Sequence, residues 1–356
     1  MDVAVIGAAG DIGRSIAALL IEQRVVPPTA RLQLVGRRGG DGESVLYGLT
    51  SDLYDAFDER TPLIEPIVES EEVDADVIVF AAGRTPPARL GGSTDRDALA
   101  RDNAEVFRAY ARAIAEHGSG HEVVVIVTNP VELGVAIFAD ALGRERVIGM
   151  GAWLDTLRFR RAIAAQLGLH RQRVGGFVAG QHGDAVVPLW STVRLHGLTA
   201  GEEREALARL RGGRTLDDFP EEISRAKART VEAAAAGFGE AYRVVDDFPP
   251  DLRFVAGPWL THQSGAKTRN GTAGAAVDLV ATVLDGRNIL VAGQVLLDGE
   301  AELLGEPVHG VLGVPIIVSP DGWSPRTMPA PLAPDEERLL SAVAARIRES
   351  LAGWGA

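Results

Sequence analysis

Within its first 130 residues the chain sets short β-branched runs between stretches of helical period, and no other feature restricts the fold as much. DVAVI (2–6), RLQLVG (31–36), ADVIVFAAG (75–83) and EVVVIVTNP (122–130) read as buried strands: short, rich in Val and Ile, and closed by glycine or turn residues. Between them, 12–23, 44–58 and 98–118 keep apolar residues at helical spacing. Strand and helix alternating in this way predict a parallel sheet covered on both faces, a doubly wound α/β domain over residues 1–150.

Beyond residue 150 the texture changes. A helix over LDTLRFRRAIAAQLG precedes a strand-like VGGFVAG and the turn QHGD. Residues 201–250 are rich in charge and alanine, with two helical patterns split by GGRTLDDFPEE and ending at DDFPP. A strand pair around VLGVPIIVS, a proline-rich connector and a last helix from Pro334 and Asp335 complete an α+β domain over 151–356. With 46% hydrophobic residues in 356, the core can be large. The net charge of -13 argues against nucleic acid as a partner, because a phosphate backbone is repelled overall. A few local arginines can still hold a small anion. Without cysteine there is no disulfide, thiolate nucleophile or Cys-ligated metal. The apolar N-terminus lacks a basic leader and is interrupted by Asp11 and Arg14, and no apolar run is long enough to span a bilayer. The expectation is a soluble, cytoplasmic protein that binds no membrane.

The first strand feeds GAAGDIG, which opens a helix. In that context Gly7 permits the sharp turn, Gly10 lets backbone approach a pyrophosphate, and Gly13 lets helix and strand pack closely. Asp11 and Ile12 lie in the helix opening, whose unpaired N–H groups suit phosphate oxygens. The second strand ends in VGRRGG: Gly36, then Arg37 and Arg38, with no acid until Asp41. A carboxylate at that end bonds a ribose 2′-OH, whereas a guanidinium holds a 2′-phosphate in a fork. NADP(H) is therefore the favoured cofactor and NAD(H) the alternative. The competing reading of the two arginines is a solvated basic loop.

Four segments, STDRDALARDN (93–103), VTNPVE (127–132), GAWLDTLRFR (151–160) and GQHGDAVVPLWS (180–191), resemble those of the malate/lactate dehydrogenase family, in its order. The GAAGDIG loop is closer to the malate dehydrogenase branch. The resemblance covers about residues 2–196 and resumes over 264–352, with a probable insertion within 197–263. It implies a Rossmann-type domain followed by a substrate domain, and hydride transfer between the cofactor and a 2-hydroxy or 2-oxo acid. By that resemblance His182 is the acid–base group, Asp155 fixes its tautomer, and Arg158 grips the substrate carboxylate. Arg96 matches the mobile-loop arginine that stabilises alkoxide charge. Asn129 orients substrate and nicotinamide ribose, while Ala82, Gly83, Asn103 and Thr128 border the cofactor.

The second substrate arginine has two contenders, Arg84 and Arg89, in a loop longer than is usual. Either favours a dianion such as malate or oxaloacetate, or a larger analogue. Gln181 stands where glutamate is usual, and Thr272 in NGTAGA lines the pocket. The remaining histidines, His117, His121, His170, His196, His262 and His309, carry no such context, and no metal site is expected. Relatives commonly pair, which implies a homodimer or homotetramer. The alternatives are an NAD-dependent lactate dehydrogenase-like reductase and a redox-sensing nucleotide-binding protein without turnover.

Overall fold

Each of the four apolar runs forms a strand with every residue buried or nearly so: β1 (Val3–Ile6), β2 (Arg31–Val35), β4 (Val77–Phe80) and β5 (Val123–Ile126). A further strand, β3 (Leu63–Ile67), lies between the second and third of these runs and was not anticipated. Its Pro66 argues against a central strand, but β3 pairs with β2 alone, at the sheet edge, where a residue without an N–H is tolerated. The short β6 (Val147–Gly149) completes the parallel set. The computed structural model describes residues 1–85, 95–183, 185–324 and 331–356.

The interleaved helices are α1 (Asp11–Glu22), α2 (Gly40–Phe57), α3 (Arg96–His117) and α4 (Val131–Leu142). The strand order β3-β2-β1-β4-β5-β6 reverses direction between β1 and β4, so the loops after these two strands diverge and leave a crevice at the carboxyl edge. This is the Rossmann-type arrangement expected from the alternation.

The sheet then continues into the second half. The helix α5 (Gly151–Leu167) leads to β7 (Phe177–Gly180) and β8 (Val186–Leu189). The helices α6 (Ala200–Arg211), α7 (Phe219–Ala234), α8 (Phe238–Asp246), α9 (Pro250–Gln263) and α10 (Arg269–Leu284) follow. A long hairpin of β9 (Ile289–Leu303) and β10 (Glu306–Ser319), a short β11 (Gly322–Ser324) and the helix α11 (Pro334–Trp354) end the chain. One antiparallel pair, Gly149 with Gln294, joins β6 to β9 and makes a single sheet of both halves. Over 201–250 there are three helices rather than two: the second pattern is broken at Gly237, whose φ of 127° ends the run between α7 and α8, and FPEE proves to be a helix start, with Pro220 in the first turn and the acids facing the positive end of α7.

The helices α7, α8 and α9 bury their own cluster, Ala226, Ala241, Val245, Phe248, Ala256 and Leu260, apart from the main core. Arg214, in the connector after α6, fastens that unit: it pairs with Glu222 of α7 and at 2.9 Å with Asp251 of α9, which is almost fully buried. No helix among the described residues is long and apolar enough to cross a membrane. Removing Arg214 strands the Asp251 carboxylate in an apolar setting, where burial already pushes its pKa up against the pull of Arg214. Arg214→Ala should cost somewhat less than the ~3–5 kcal/mol typical of breaking a fully buried pair, since the arginine keeps 25% of its side-chain surface in water. A urea midpoint unchanged by this substitution would contradict the assignment.

Candidate active site

The crevice at the switch between β1 and β4 is built for close approach. Gly7 adopts a positive φ of 87°, and a Cβ there would lie 2.7 Å from the backbone of Ala82, beyond β4. A Cβ on Gly13 would collide with the carbonyl oxygen of Gly7, so α1 seats directly on the turn. Gly10 caps α1 without any side-chain hydrogen bond, leaving first-turn N–H groups open to an anion. A pyrophosphate fits that cradle. Asp11 is exposed in the first turn and meets Lys267, just before α10, at 3.3 Å and Arg269, the first residue of that helix, at 3.8 Å; Ile12 packs against the core.

At the end of β2, Gly36 donates its N–H to the Ile67 carbonyl at 2.8 Å, and the Tyr110 hydroxyl donates to the Gly36 carbonyl at 3.3 Å. Arg37 and Arg38 both point to solvent, and Arg38 forms an ion pair with Glu69 beyond β3. The two neighbouring loops are tied by the fully buried Asn103 of α3. Its Oδ1 accepts from the Arg84 N–H at 2.7 Å, and its Nδ2 donates to the Asn129 carbonyl at 2.7 Å. The Thr128 hydroxyl donates to the Ala82 carbonyl at 2.8 Å, and the methyl of Thr128 and the amide of Asn103 crowd Gly83. The side chains of Arg84 and Asn129 are exposed there, while Arg89 lies outside the described residues.

The second cluster is organised by α5, which is fixed at three points. Its Ala152 N–H donates to the buried Gln294 of β9 at 3.0 Å, and its Trp153 indole to Asp278 of α10 at 2.7 Å. The Val178 N–H of β7 donates to Thr156 at 2.9 Å. This presents Asp155 between two partners: His182 Nδ1 at 2.8 Å and Arg158 Nη1 at 3.3 Å. A carboxylate only accepts, so Nδ1 carries the proton and Nε2 is the free ring nitrogen.

Arg158 is only 14% exposed, and burial lowers its pKa while Asp155 opposes that. Its one hydrogen bond among the described residues is to Asp155, which leaves most of the guanidinium fork for another anion.

His182 itself sits in the turn between β7 and β8. Its N–H donates to Glu132 of α4 at 3.0 Å, and its carbonyl accepts from Arg96 Nη1 at 2.9 Å. Arg96 Nη2 also reaches Glu132, at 2.8 Å. The structure thus brings Asp155, Arg158, His182 and Arg96 together, and adds two residues that sequence reading passed over. Glu132 is the last residue of the family-like VTNPVE, with no role of its own read there. Gly151 opens the family-like GAWLDTLRFR, and a Cβ there would lie 2.5 Å from His182 Cβ, so the ring occupies the space a side chain would take.

Thr272 lies in the first turn of α10, half-buried, its hydroxyl 3.4 Å from that of Thr268. Among the described residues no group of three or more His, Asp or Glu could hold a metal ion.

Residues 1–149 match the family model described as lactate/malate dehydrogenase, NAD binding domain. The chain is 35% identical over 205 residues to an L-2-hydroxycarboxylate dehydrogenase (NAD(P)(+)) of Methanocaldococcus jannaschii, a match covering 56% of this chain and 62% of that protein. It is 27% identical over 355 residues to a malate dehydrogenase of Methanothermobacter marburgensis, covering 98% and 96%. The crystal structure of a Cryptosporidium parvum malate dehydrogenase superposes with a TM-score of 0.75 at 20% identity, over 99% of this chain and 98% of that one, and shares the fold.

The packing of His182 on Gly151 yields a direct test. Gly151→Ala should push the ring off its place and break the 2.8 Å bond to Asp155. The low-field Nδ1 proton of that bond should then vanish from the NMR spectrum of the folded variant. Retention of the resonance would show that the ring tolerates the methyl group.

Proposed function

We propose, for a chain that belongs to the lactate/malate dehydrogenase family, that it transfers a hydride between a nicotinamide cofactor and a 2-hydroxy or 2-oxo acid. The observation that carries this reading is the buried, largely unspent guanidinium of Arg158 beside the His182–Asp155 pair. A buried fork with one partner is costly unless a second anion completes it, and a substrate carboxylate has the matching geometry. Reduced nicotinamide, when bound, supplies the hydride.

The chain supplies the rest. His182 Nε2–H breaks as the O–H of the product forms, and the reverse reaction returns the proton to Nε2. Asp155 holds the tautomer that makes this possible and balances the imidazolium. Arg158 holds the carboxylate, and Arg96, against the His182 carbonyl, stabilises charge developing on the oxygen. The loops of Ala82, Gly83, Thr128 and Asn129, tied by Asn103, border the nicotinamide ribose, and the backbone of Gly10, Asp11, Ile12 and Gly13 receives the pyrophosphate. Residues 1–150 act as the dinucleotide-binding unit and 151–356 as the substrate unit. The substrate is a dianion of the malate and oxaloacetate type, a reading supported by the near full-length likeness to a malate dehydrogenase.

Following cofactor absorbance across mono- and dianionic 2-oxo acids tests the proposal. His182→Asn should lose about 10²–10⁴-fold in turnover with cofactor binding intact, the usual worth of general acid–base catalysis. A loss below tenfold would mean that the proton comes from elsewhere.

For the cofactor, Arg37 and Arg38 at the end of β2 favour NADP(H). The pairing of Arg38 with Glu69 favours the second reading, NAD(H), because it occupies one of the two cations. With NADP(H) as the partner, the wild-type chain prefers NADPH through KM, and replacing both arginines by alanine should cut that preference by about tenfold or more, the loss of charge-assisted contacts. Equal use of the two cofactors by the unaltered chain decides for the second reading.

A further inference from the structure

His182 needs more than Asp155 to hold Nε2 in one place. The turn that carries it is flanked by Gly180 and Gly183, with φ of 89° and 110°, a backbone of little intrinsic stiffness. The Nδ1 bond fixes one ring atom, about which the ring can still pivot as its peptide shifts. The second anchor is on the backbone. Glu132 is fully buried, and its two oxygens are divided between two partners from different elements: Oε1 takes the His182 N–H at 3.0 Å, and Oε2 takes Arg96 Nη2 at 2.8 Å. Arg96 closes the ring of contacts by donating Nη1 to the His182 carbonyl at 2.9 Å. Among the described residues its buried Nε–H has no partner, so the guanidinium is held there by those two contacts.

We infer that Glu132 is a positioning residue for the reaction: one buried carboxylate fixes the His182 peptide and the Arg96 guanidinium as a unit, and thereby the two groups proposed to meet the substrate oxygen. This rests on the acid–base reading of His182 given above. Among the described residues the charges around His182 are Asp155 and, behind it, Arg158 on α5, Glu132 on α4, and Arg96 on α3. Their sum at the ring depends on Glu132, because without it Arg96 faces His182 uncompensated. A carboxylate present only to fill a helix start would leave both the ring and the chemistry unaffected.

The test compares Glu132→Gln and Glu132→Asp in the full chain. The amide of Gln can still accept from His182 but turns its NH₂ toward Arg96 and carries no charge. Titrated by NMR with labelled histidine, His182 in Glu132→Gln should lose its proton at lower pH, its proton affinity down by about tenfold from the unbalanced Arg96 charge. kcat should fall by about ten- to a hundredfold, the expected result of a displaced acid–base group, with cofactor KM unchanged. Glu132→Asp, which keeps the charge, should restore the titration and part of kcat. Should Glu132→Gln fail to fold, Glu132→Asp with an unshifted titration and reduced kcat supports the inference, and full kcat overturns it. An unmoved His182 titration in folded Glu132→Gln overturns it whatever the turnover, as does kcat within twofold of the unaltered chain. If the unaltered chain turns over no 2-oxo acid, the proposed function fails, while the titration still decides the role of Glu132 toward His182.

Discussion

The Asp155 carboxylate, shared between the ring of His182 and the fork of Arg158, is the interaction on which the site depends. Three ionisable groups in a mostly buried space are expensive, and they persist because each satisfies part of another. Asp155 sets the tautomer of His182, and its charge offsets the burial that would otherwise weigh on Arg158. A helix can offer a carboxylate to two partners in this way only if its own position is fixed. The bonds from Gln294, Asp278 and Thr156 on or to α5 supply that rigidity from three directions.

The nucleotide half obeys a different constraint, in which backbone rather than side chain is the functional material. Gly7, Gly13 and Gly83 are places where a Cβ has no room, and Asn103 stitches together the two loops that end β4 and β5. A cleft formed by strands that diverge at the switch point would splay without such a stitch. The buried amide uses both its oxygen and its nitrogen, which is why it can replace direct contact between those loops.

How much of this was legible in the sequence follows from the range of each effect. The strands β1, β2, β4 and β5 and the helix α3 were readable because periodicity is local and strong there. The strand β3 was hidden by Pro66, whose meaning depends on lying at a sheet edge, a fact about neighbours. The start of α7 was hidden because proline and acids mark both loops and helix openings. Asp155 and Arg158 share a helix face three residues apart, so their proximity could be read, and QHGD pointed to His182. The role of Glu132 could not: its partners lie 36 and 50 residues away, and only the folded chain reveals that an unremarkable first-turn acid is wholly buried. Gly151 was equally opaque, since what excludes a side chain there is the ring of His182.

The single Gly149–Gln294 pair that welds the two halves into one sheet also sets an order of events during synthesis. Strands β1 to β6 pair among themselves within the first 149 residues, so these strands can pair as the chain emerges. The turn bearing His182 is made soon afterwards, but β7 pairs with β10 through Gly180 and Gly313, residues far apart in sequence. The anchor of α5, Gln294, arrives equally late. Long-range pairings of this kind form slowly, because loop closure must precede the contacts that compensate it. A ribosome-bound chain therefore has its parallel strands paired well before α10 arrives to pack on α1 and well before the histidine is held in place.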